Sequence, residues 1–337
     1  MPILVDEMRL LYSLPFARSL RELARLAGVS PNTAVKFYNQ WSLRGRFVMV
    51  PDDAYFGFAR VVYIAEKATW PGSLPYGSLE VMTLSSPRGE HTLVHGLVPR
   101  VIIDDYVRDL AATLGEGSAL VAQEVQHWVP ISKLQGLRPV DAERLPKLVD
   151  SLLPELKRAE PLDMPDVWDL VYLTGKMMLG PFARPSDLLR KLQPLFWLPI
   201  PAQTTRSYHY KLHFLPGWLY TTFRAQRRPQ EAVKVALELE GKDAARVAKA
   251  LALLPAWGVS FIADRRAVYV GQVDAAFLPS VYDILHGWRA EAVRGLLFAK
   301  SHLELDKPLL WRFLSDDGKA WVMVEERARV PSYVPEE

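Results

Sequence analysis

Cysteine is absent from the 337 residues of this chain. Its absence excludes disulfides, thiolate metal sites and cysteine nucleophiles, and it favours a reducing, cytoplasmic location. Long apolar runs are also missing, because the longest one, LALLPAWGVSFIA, is shorter than the roughly 20 residues that a membrane-spanning helix needs. Acids stand near the first residue, where a secretory signal has a basic flank. The sequence therefore predicts a protein without a membrane partner.

The short motifs of several enzyme classes are missing as well. The stretch LGEGS lacks the third glycine of a dinucleotide-binding loop, and the chain contains no GxxxxGK phosphate loop and no GxSxG nucleophile elbow. The adjacent pairs Asp104–Asp105 and Glu325–Glu326 are typical of a solvated surface. No catalytic residue is predicted, and the expectation is a protein that is not an enzyme.

Charge is small in sum but uneven along the chain. The net charge is +3, too low for a general polyanion binder. Between Pro181 and Gln230, however, eight Lys and Arg residues stand against one acid. Such a basic segment favours nucleic acid as a partner, although a solvated face or an acidic protein partner explains it too.

The first 50 residues show the pattern of a winged helix. Apolar spacing predicts a helix over 5–14 and another that ends at Gly28, and Ser30 and Pro31 have the residue types of an N-cap and a first helical position. The stretch LRGRFVMVPDD then predicts a β-wing. Polar residues on this unit are predicted to contact double-stranded DNA: Ser30, Asn32, Thr33, Lys36, Gln40, Arg44 and Arg46. A winged helix that serves only as a scaffold is the alternative.

A second copy of this pattern follows later in the chain. PFARPSDLLRKL from Pro181 repeats PFARSLRELARL from Pro15, and six extra residues around QPLFWLPIP separate the second pair of helices. The second copy supplies further predicted DNA contacts, chiefly to phosphates: Gln203, Thr204, Arg206, Lys211, Arg224, Arg227 and Arg228. The insertion stands where a tight turn is expected, which weakens the case for base reading by this copy.

Each winged helix is followed by a pattern of strands and helices in βαββαβ order, although TWPGSLPYG in the first copy is too rich in helix breakers for the first helix. The predicted fold class is α+β, with tandem winged helix-turn-helix domains that each precede a ferredoxin-like βαββαβ sandwich. The predicted boundaries are 1–52 for the first winged helix, 53–135 for the first sandwich, 136–165 for a proline-rich linker, 166–228 for the second winged helix, 229–305 for the second sandwich and 306–337 for a β-hairpin and tail.

Two histidine pairs have a spacing that could place two metal ligands on one helix face. They are His91 with His95 and His209 with His213. The first pair falls in a predicted strand, and neither pair has an evident third ligand or a glutamate in an HExxH arrangement. The sequence therefore predicts no metal site.

VDEMRLLYSLPFARSLRELARLAGVSPNTAVKFY resembles the DNA-binding half of the Lrp/AsnC family of transcription regulators. The resemblance implies a DNA-binding regulator, here a single-chain pseudo-dimer. It implies that the sandwiches mediate assembly, including assembly into homo-oligomers. It also implies that they bind an unidentified amino-acid-type effector, and no other cofactor is expected. The two-half layout is also similar to siroheme decarboxylases, tetrapyrrole enzymes whose His-Asn-Tyr-x-Arg and Trp-Phe-Thr stretches have no match here. A non-catalytic protein-interaction module is the third hypothesis.

Overall fold

The first three helices follow the apolar spacing of the sequence. They are α1 (Val5–Ser13), α2 (Leu20–Ala27) and α3 (Pro31–Ser42). Gly28 ends α2 in the left-handed conformation, at φ 67°, which glycine adopts without steric cost. The Ser30 hydroxyl accepts a hydrogen bond from the Thr33 amide and caps α3, as predicted. These local signals place the two helices of the helix-turn-helix.

The computed structural model describes residues 5–134, 137–156, 158–196, 199, 202–226, 228 and 231–331. Within them, the strand β1 (Gly45–Pro51) does not form a separate wing. It pairs antiparallel with β8 (Trp218–Ala225) from the second half. Phe47 and Phe223 pack with ring centroids 5.0 Å apart. Each helix-turn-helix therefore has one wing strand, and the two strands form a shared ribbon in which each satisfies the backbone edge of the other.

The first sandwich contains β2 (Phe58–Ala65), β3 (Ser73–Pro75), β4 (Ser78–Ser86), β5 (Gly89–Pro99), α4 (Ile103–Leu114), β6 (Gly117–Ala122) and β7 (Glu124–His127). Residues 66–77 contain no helix, in agreement with the breakers in TWPGSLPYG. The short β3 takes its place and pairs with β14 (Arg327–Arg329) near the end of the chain.

The segment predicted as a linker is built into the fold. A 3-10 helix at Pro139–Arg144 and the helix α5 (Leu145–Leu152) bury Ala142 and Leu145 against the core of the second sandwich. The Ser280 hydroxyl donates to the Pro139 carbonyl. The predicted linker is therefore packed in part on the second sandwich, because α5 has an apolar face that needs cover.

The second half begins with α6 (Val167–Leu179), α7 (Pro185–Leu192) and α8 (Gln203–Tyr208), followed by a π-helical turn at His209–Phe214 and by β8. The predicted six-residue insertion lies partly outside the described residues. The second sandwich then shows the predicted βαββαβ order: β9 (Ala232–Glu240), α9 (Ala244–Ala252), β10 (Ala256–Ile262), β11 (Arg266–Asp274), α10 (Leu278–Leu285), the two-residue β12 (Glu291–Ala292) and β13 (Leu297–Glu304).

The two sandwiches join into one closed sheet. Its strand order is β6-β2-β5-β4-β13-β9-β11-β10-β7, with β12 beside β9. Because β6 and β7 are consecutive in the chain, the two ends of this order meet and the sheet closes into a barrel. Side chains of both halves fill a dry interior, among them Val62, Met82, Phe261 and Val270. The sandwiches therefore assemble with each other inside one chain, without a free edge at either junction.

The fold class α+β is confirmed, with winged helices and ferredoxin-like sandwiches. The predicted C-terminal hairpin is present in a short form. Leu314 and Trp321 form an antiparallel bridge around a turn in which the Gly318 amide donates to the Ser315 carbonyl. Leu310–Phe313 is a 3-10 helix, and Leu310 and Phe313 are buried in the main core. Among the described residues, no helix has the length and apolar character needed to cross a membrane.

Candidate functional site

A cavity lies between the β1–β8 ribbon, one end of the barrel and the last turns of α6. The cavity itself is small, about 100 Å³. It adjoins a wider cleft of about 770 Å³, which falls in the range of small-molecule sites and shares with it Arg46, Phe47, Arg224 and Trp257. Both halves of the chain contribute to these walls, so the site exists only because the duplicated units pack together.

Two arginines and two glutamates form the charged centre of the site. Arg46 and Arg224 are partners across the ribbon, and Glu80 and Glu304 are partners across the β4–β13 junction. Nη1 of Arg224 lies 3.0 Å from a carboxylate oxygen of each glutamate, and Nη1 of Arg46 lies 2.9 Å from Glu304. Burial raises the pKa of Glu80, but Arg224 and neighbouring histidines more than offset this and hold that pKa well below its usual value. Glu80 is thus ionised although only 8% of its surface is exposed.

Four further cationic side chains line the cavity and the cleft: Arg60, Lys176, Lys234 and Lys307. Arg60 is held by Asp53, with Nε 2.9 Å from the carboxylate. Burial lowers the pKa of Lys176 to about 7, and burial together with Arg224 lowers the pKa of Lys234 to about 7. Burial also lowers the pKa of Lys307. The site therefore holds more positive groups than it can keep charged without an anion.

Three histidines add neutral polar groups. Burial, followed by Arg60 and Arg224, lowers the pKa of His127 to about 3. Burial and Arg60 hold the pKa of His95 well below its usual value, and burial lowers the pKa of His302. Nδ1 of His95 is buried without a hydrogen-bond partner among the described residues, and Nε2 of His302 lies 3.6 Å from a carboxylate oxygen of Glu80. A buried polar atom without a partner is costly, so a bound ligand that supplies one is favoured.

The rest of the wall is apolar and aromatic. Phe47, Trp128, Phe223, Trp257 and Phe261 line the cavity. The Arg224 guanidinium stacks 3.8 Å from the Trp257 ring, and the Lys234 ammonium lies 5.5 Å from the same ring. Flat ring faces on the ligand suit such walls, while its charged groups would reach the arginines and lysines.

The predicted DNA-contacting residues of the first copy lie on one outer face. Asn32, Lys36 and Gln40 are exposed on α3, and Thr33 is half-buried beside the Ser30 cap. Arg44 is exposed and stacks on Trp41, 5.9 Å from its ring. Arg46 instead reaches Glu304 and lines the cavity. The structure thus keeps most of this predicted face together.

The predicted residues of the second copy are dispersed. Gln203, Thr204, Lys211 and Arg228 are exposed and Arg206 is half-buried, while Arg227 lies outside the described residues. Arg224 is a wrong prediction as a DNA contact, because its side chain is 23% exposed and faces the two glutamates. Arg224 lies in the basic segment of the sequence, but the strand β8 turns its side chain toward the cavity.

Sequence reasoning missed the cavity residues Glu80, His95, His127, Lys176 and Lys307. Glu80 and His95 are paired across neighbouring strands, at positions where alternation places a buried side chain. A single polar residue at an inward position of an apolar strand is a signal that could have found them. Of the histidine pairs, His91 and His95 lie on β5, as expected for a strand, and His209 and His213 lie in the π-helical turn beside Asp166 and Asp169.

Comparison with known proteins gives little beyond the fold. No protein family and no curated protein matches the sequence. The chain is similar to the crystal structure of the siroheme decarboxylase NirDL in co-complex with an iron-uroporphyrin III analogue, with 13% identity, a TM-score of 0.41 and coverage of 91% of this chain and 93% of that chain. A second crystal structure of the siroheme decarboxylase NirDL has 12% identity, a TM-score of 0.42 and coverage of 91% and 96%. A likeness of this size carries no functional inference.

Proposed function

We propose that this chain binds a ring-shaped organic polyanion, a carboxylated tetrapyrrole, in the cavity between the ribbon and the barrel. The observation that carries the proposal is the charge of the walls. Six Lys and Arg side chains line the cavity and the adjoining cleft, against Glu80 and Glu304. Both glutamates are already held by Arg224, and Nζ of Lys176 donates to the carbonyls of Pro181 and Ala183. Lys234 and Lys307 are therefore the groups that an anion would satisfy.

Carboxylates fit these donors in geometry as well as in charge. Arginine presents a planar fork that matches a carboxylate, and lysine adds point charges with three donors each. Lys234 and Lys307 have lowered pKa values because burial and neighbouring cations penalise their charged forms. A bound carboxylate reverses part of that penalty. Charged lysines are therefore unfavourable in the free protein and become favourable next to a bound carboxylate, which increases the affinity for the ligand.

The walls select a flat and largely apolar body for this anion. Trp128, Trp257 and Phe261 provide ring faces, and tetrapyrroles combine a flat aromatic ring with carboxylates around its rim. An amino-acid effector, which the resemblance to regulators implies, is small and would leave most of the adjoining cleft of about 770 Å³ unfilled. The cleft thus favours the larger ligand.

The test is a titration of the full chain with uroporphyrin III, followed by porphyrin absorption and by quenching of tryptophan fluorescence. A water-soluble porphyrin with cationic substituents is the matched probe, because it has the same ring and the opposite charge. We expect binding of the carboxylated ring and at least about tenfold weaker binding of the cationic ring, which corresponds to 1.4 kcal/mol. Equal binding of both would contradict a charge-selective site.

Protein variants locate the bound ring. K234M/K307M removes two cations from the walls and should weaken uroporphyrin binding by at least about tenfold. The matched control K242M/K319M removes two exposed lysines that do not line the cavity and should leave the affinity unchanged. Mass spectrometry of the extracted pigment then shows whether carboxylates leave as CO₂, which would add a decarboxylase activity to the binding function.

We propose DNA binding with transcription regulation as a second candidate function, which the exposed polar face of α3 favours. Asn32, Lys36 and Gln40 share this face, and asparagine, lysine and glutamine are residue types that contact bases and phosphates. Fluorescence anisotropy with the protein's own promoter DNA and scrambled DNA, at two salt concentrations, tests it. N32A should lose about 1–3 kcal/mol of base preference, and Q123A, at an exposed position between β6 and β7, is the control.

A further inference from the structure

Two aspartates and two histidines meet in the second winged helix, away from the cavity. Asp166 and Asp169 lie at the start of α6, and His209 and His213 lie on the π-helical turn. One ligand atom from each of the four lies within 4.8 Å of all the others. None of the four residues lines the cavity or the cleft. The cluster is therefore a separate chemical feature.

The shortest contacts in the cluster join oxygen and nitrogen atoms that suit a metal ion. Oδ2 of Asp166 lies 3.1 Å from Nδ1 of His209, and Oδ2 of Asp169 lies 3.3 Å from Nδ1 of His213. Nδ1 of His209 also lies 3.8 Å from Oδ1 of Asp169. A tetrahedral zinc ion with bonds of about 2.0–2.1 Å separates its ligand atoms by roughly 3.3 Å. The observed spacings lie close to that edge length.

One buried atom of the cluster lacks a hydrogen-bond partner among the described residues. It is Oδ1 of Asp169, a residue that is only 1% exposed, and Nδ1 of His209 lies 3.8 Å from it. The remaining oxygens cap α6: Oδ1 of Asp166 accepts from the amides of Trp168 and Asp169. Capping thus fixes both carboxylates in place, and Oδ2 of Asp166 and Oδ1 of Asp169 remain directed toward His209.

The local backbone and the charges agree with this reading. A π-helical turn is rare and is frequently found at functional sites, and here it holds His209 and His213 with ring centroids 5.2 Å apart. Two carboxylates on one helical turn repel each other, and a dication removes that cost.

We infer that Asp166, Asp169, His209 and His213 form a site for a divalent transition metal, with Zn²⁺ as the ion that fits two imidazoles and two carboxylates in four-coordination. The ion would join the first turn of α6 to a segment some 40 residues later in the chain and so fix the second winged helix. This site does not depend on the proposed ligand of the cavity. The sequence argued against a metal because neither histidine pair has an evident third ligand. In the structure, the start of α6 supplies two further ligands, Asp166 and Asp169.

The test uses the full chain, stripped with a chelator, dialysed and then given Zn²⁺ or Co²⁺. We expect uptake of one equivalent, a rise in Tm with Zn²⁺ and the intense visible absorption of four-coordinate Co²⁺. H209Q/H213Q should lose all three signals. D169N keeps an oxygen for the Asp166 amide and should lose at least about tenfold in affinity, since changes even in outer-shell groups cost 10–100-fold.

The matched control is H286Q, because His286 is exposed and remote from the cluster in sequence; its uptake of metal should equal that of the wild type. Comparison of Tm values with chelator present shows whether each variant folds. The inference is overturned if wild-type protein with Co²⁺ lacks the four-coordinate spectrum, or if H209Q/H213Q takes up as much Zn²⁺ as the wild type. Either result would leave two ordinary histidine–aspartate ion pairs.

Discussion

The two winged helices differ most in the helix that follows the turn. In the first, α3 has 12 residues, a serine cap and an exposed polar face. In the second, α8 has six residues, begins after Ala202 without a side-chain cap, and continues into a π-helical turn that faces α6. The first helix-turn-helix thus has an open surface, whereas the second is turned toward contacts inside the protein.

The two halves also differ in what they give to the cavity. The helix α6 has 13 residues against nine in α1, and its last part brings Lys176 to the cavity wall. From the ribbon, the first half contributes the more exposed Arg46 and the second the more buried Arg224. The first half therefore faces outward and the second half supports the site, and the following predictions test that division.

The largest expected effect comes from the two arginines that face each other across the ribbon. R224M leaves Glu80 buried without its guanidinium, so we expect a loss of about 3–5 kcal/mol in the free energy of unfolding. R46M is the matched control, because the Arg46 side chain is 55% exposed, and surface pairs contribute about 0–1 kcal/mol. Urea unfolding measures both. Equal losses would mean that the two halves support the site alike.

A second effect is the pH dependence of binding, which comes from Lys234 of the second sandwich. Its pKa is lowered to about 7, and a bound polyanion raises it again. Affinity for uroporphyrin III is therefore highest below pH 7, where Lys234 is charged in the free protein. Above pH 7 it should fall by about tenfold per pH unit, because Lys234 takes up a proton on binding.

Variants assign that pH dependence to Lys234. K234M should remove the slope between pH 7 and 9. K242M, at an exposed lysine away from the cavity, should leave the slope unchanged. Titrations at four pH values measure it. A profile that is flat in the wild type would show that Lys234 does not contact the anion.

The sequence predicted those parts of the fold that have local signals. Gly28, Ser30 and Pro31 fix the ends of α2 and α3 through backbone conformation and capping, so their bounds could be placed. The pairing of β1 with β8 could not be predicted, because it joins residues about 170 positions apart and neither strand's sequence indicates its partner. Apolar alternation shows that a strand needs a covered face and does not say which strand covers it.

The candidate sites were harder to predict for the same reason. Glu80 and Arg224 meet only because the ribbon lies over the barrel, and both look like ordinary surface residues in the sequence. His209 and His213 were recognised by their spacing, but Asp166 and Asp169 precede them by about 40 residues. Their Asp-x-x-Asp spacing at a helix start indicates a cap, and only the packing of α6 on the π-helical turn adds the second role.

The smallest expected effect concerns the caps of α3 and α8. S30A removes a hydroxyl that accepts the Thr33 amide and should lower the free energy of unfolding by about 1 kcal/mol. A202S offers α8 the cap it lacks, and since Ala202 has extended backbone angles, φ −54° and ψ 154°, a serine fits there. We expect a gain of about 0.5 kcal/mol or less, because a six-residue helix held by its π-helical continuation depends little on its first turn. Urea unfolding compares the two, with T205S, at an exposed position inside α8, as the control. A gain from A202S as large as the loss from S30A would mean that the second helix-turn-helix depends on its cap as much as the first, and that its divergence lies only in the turn before it.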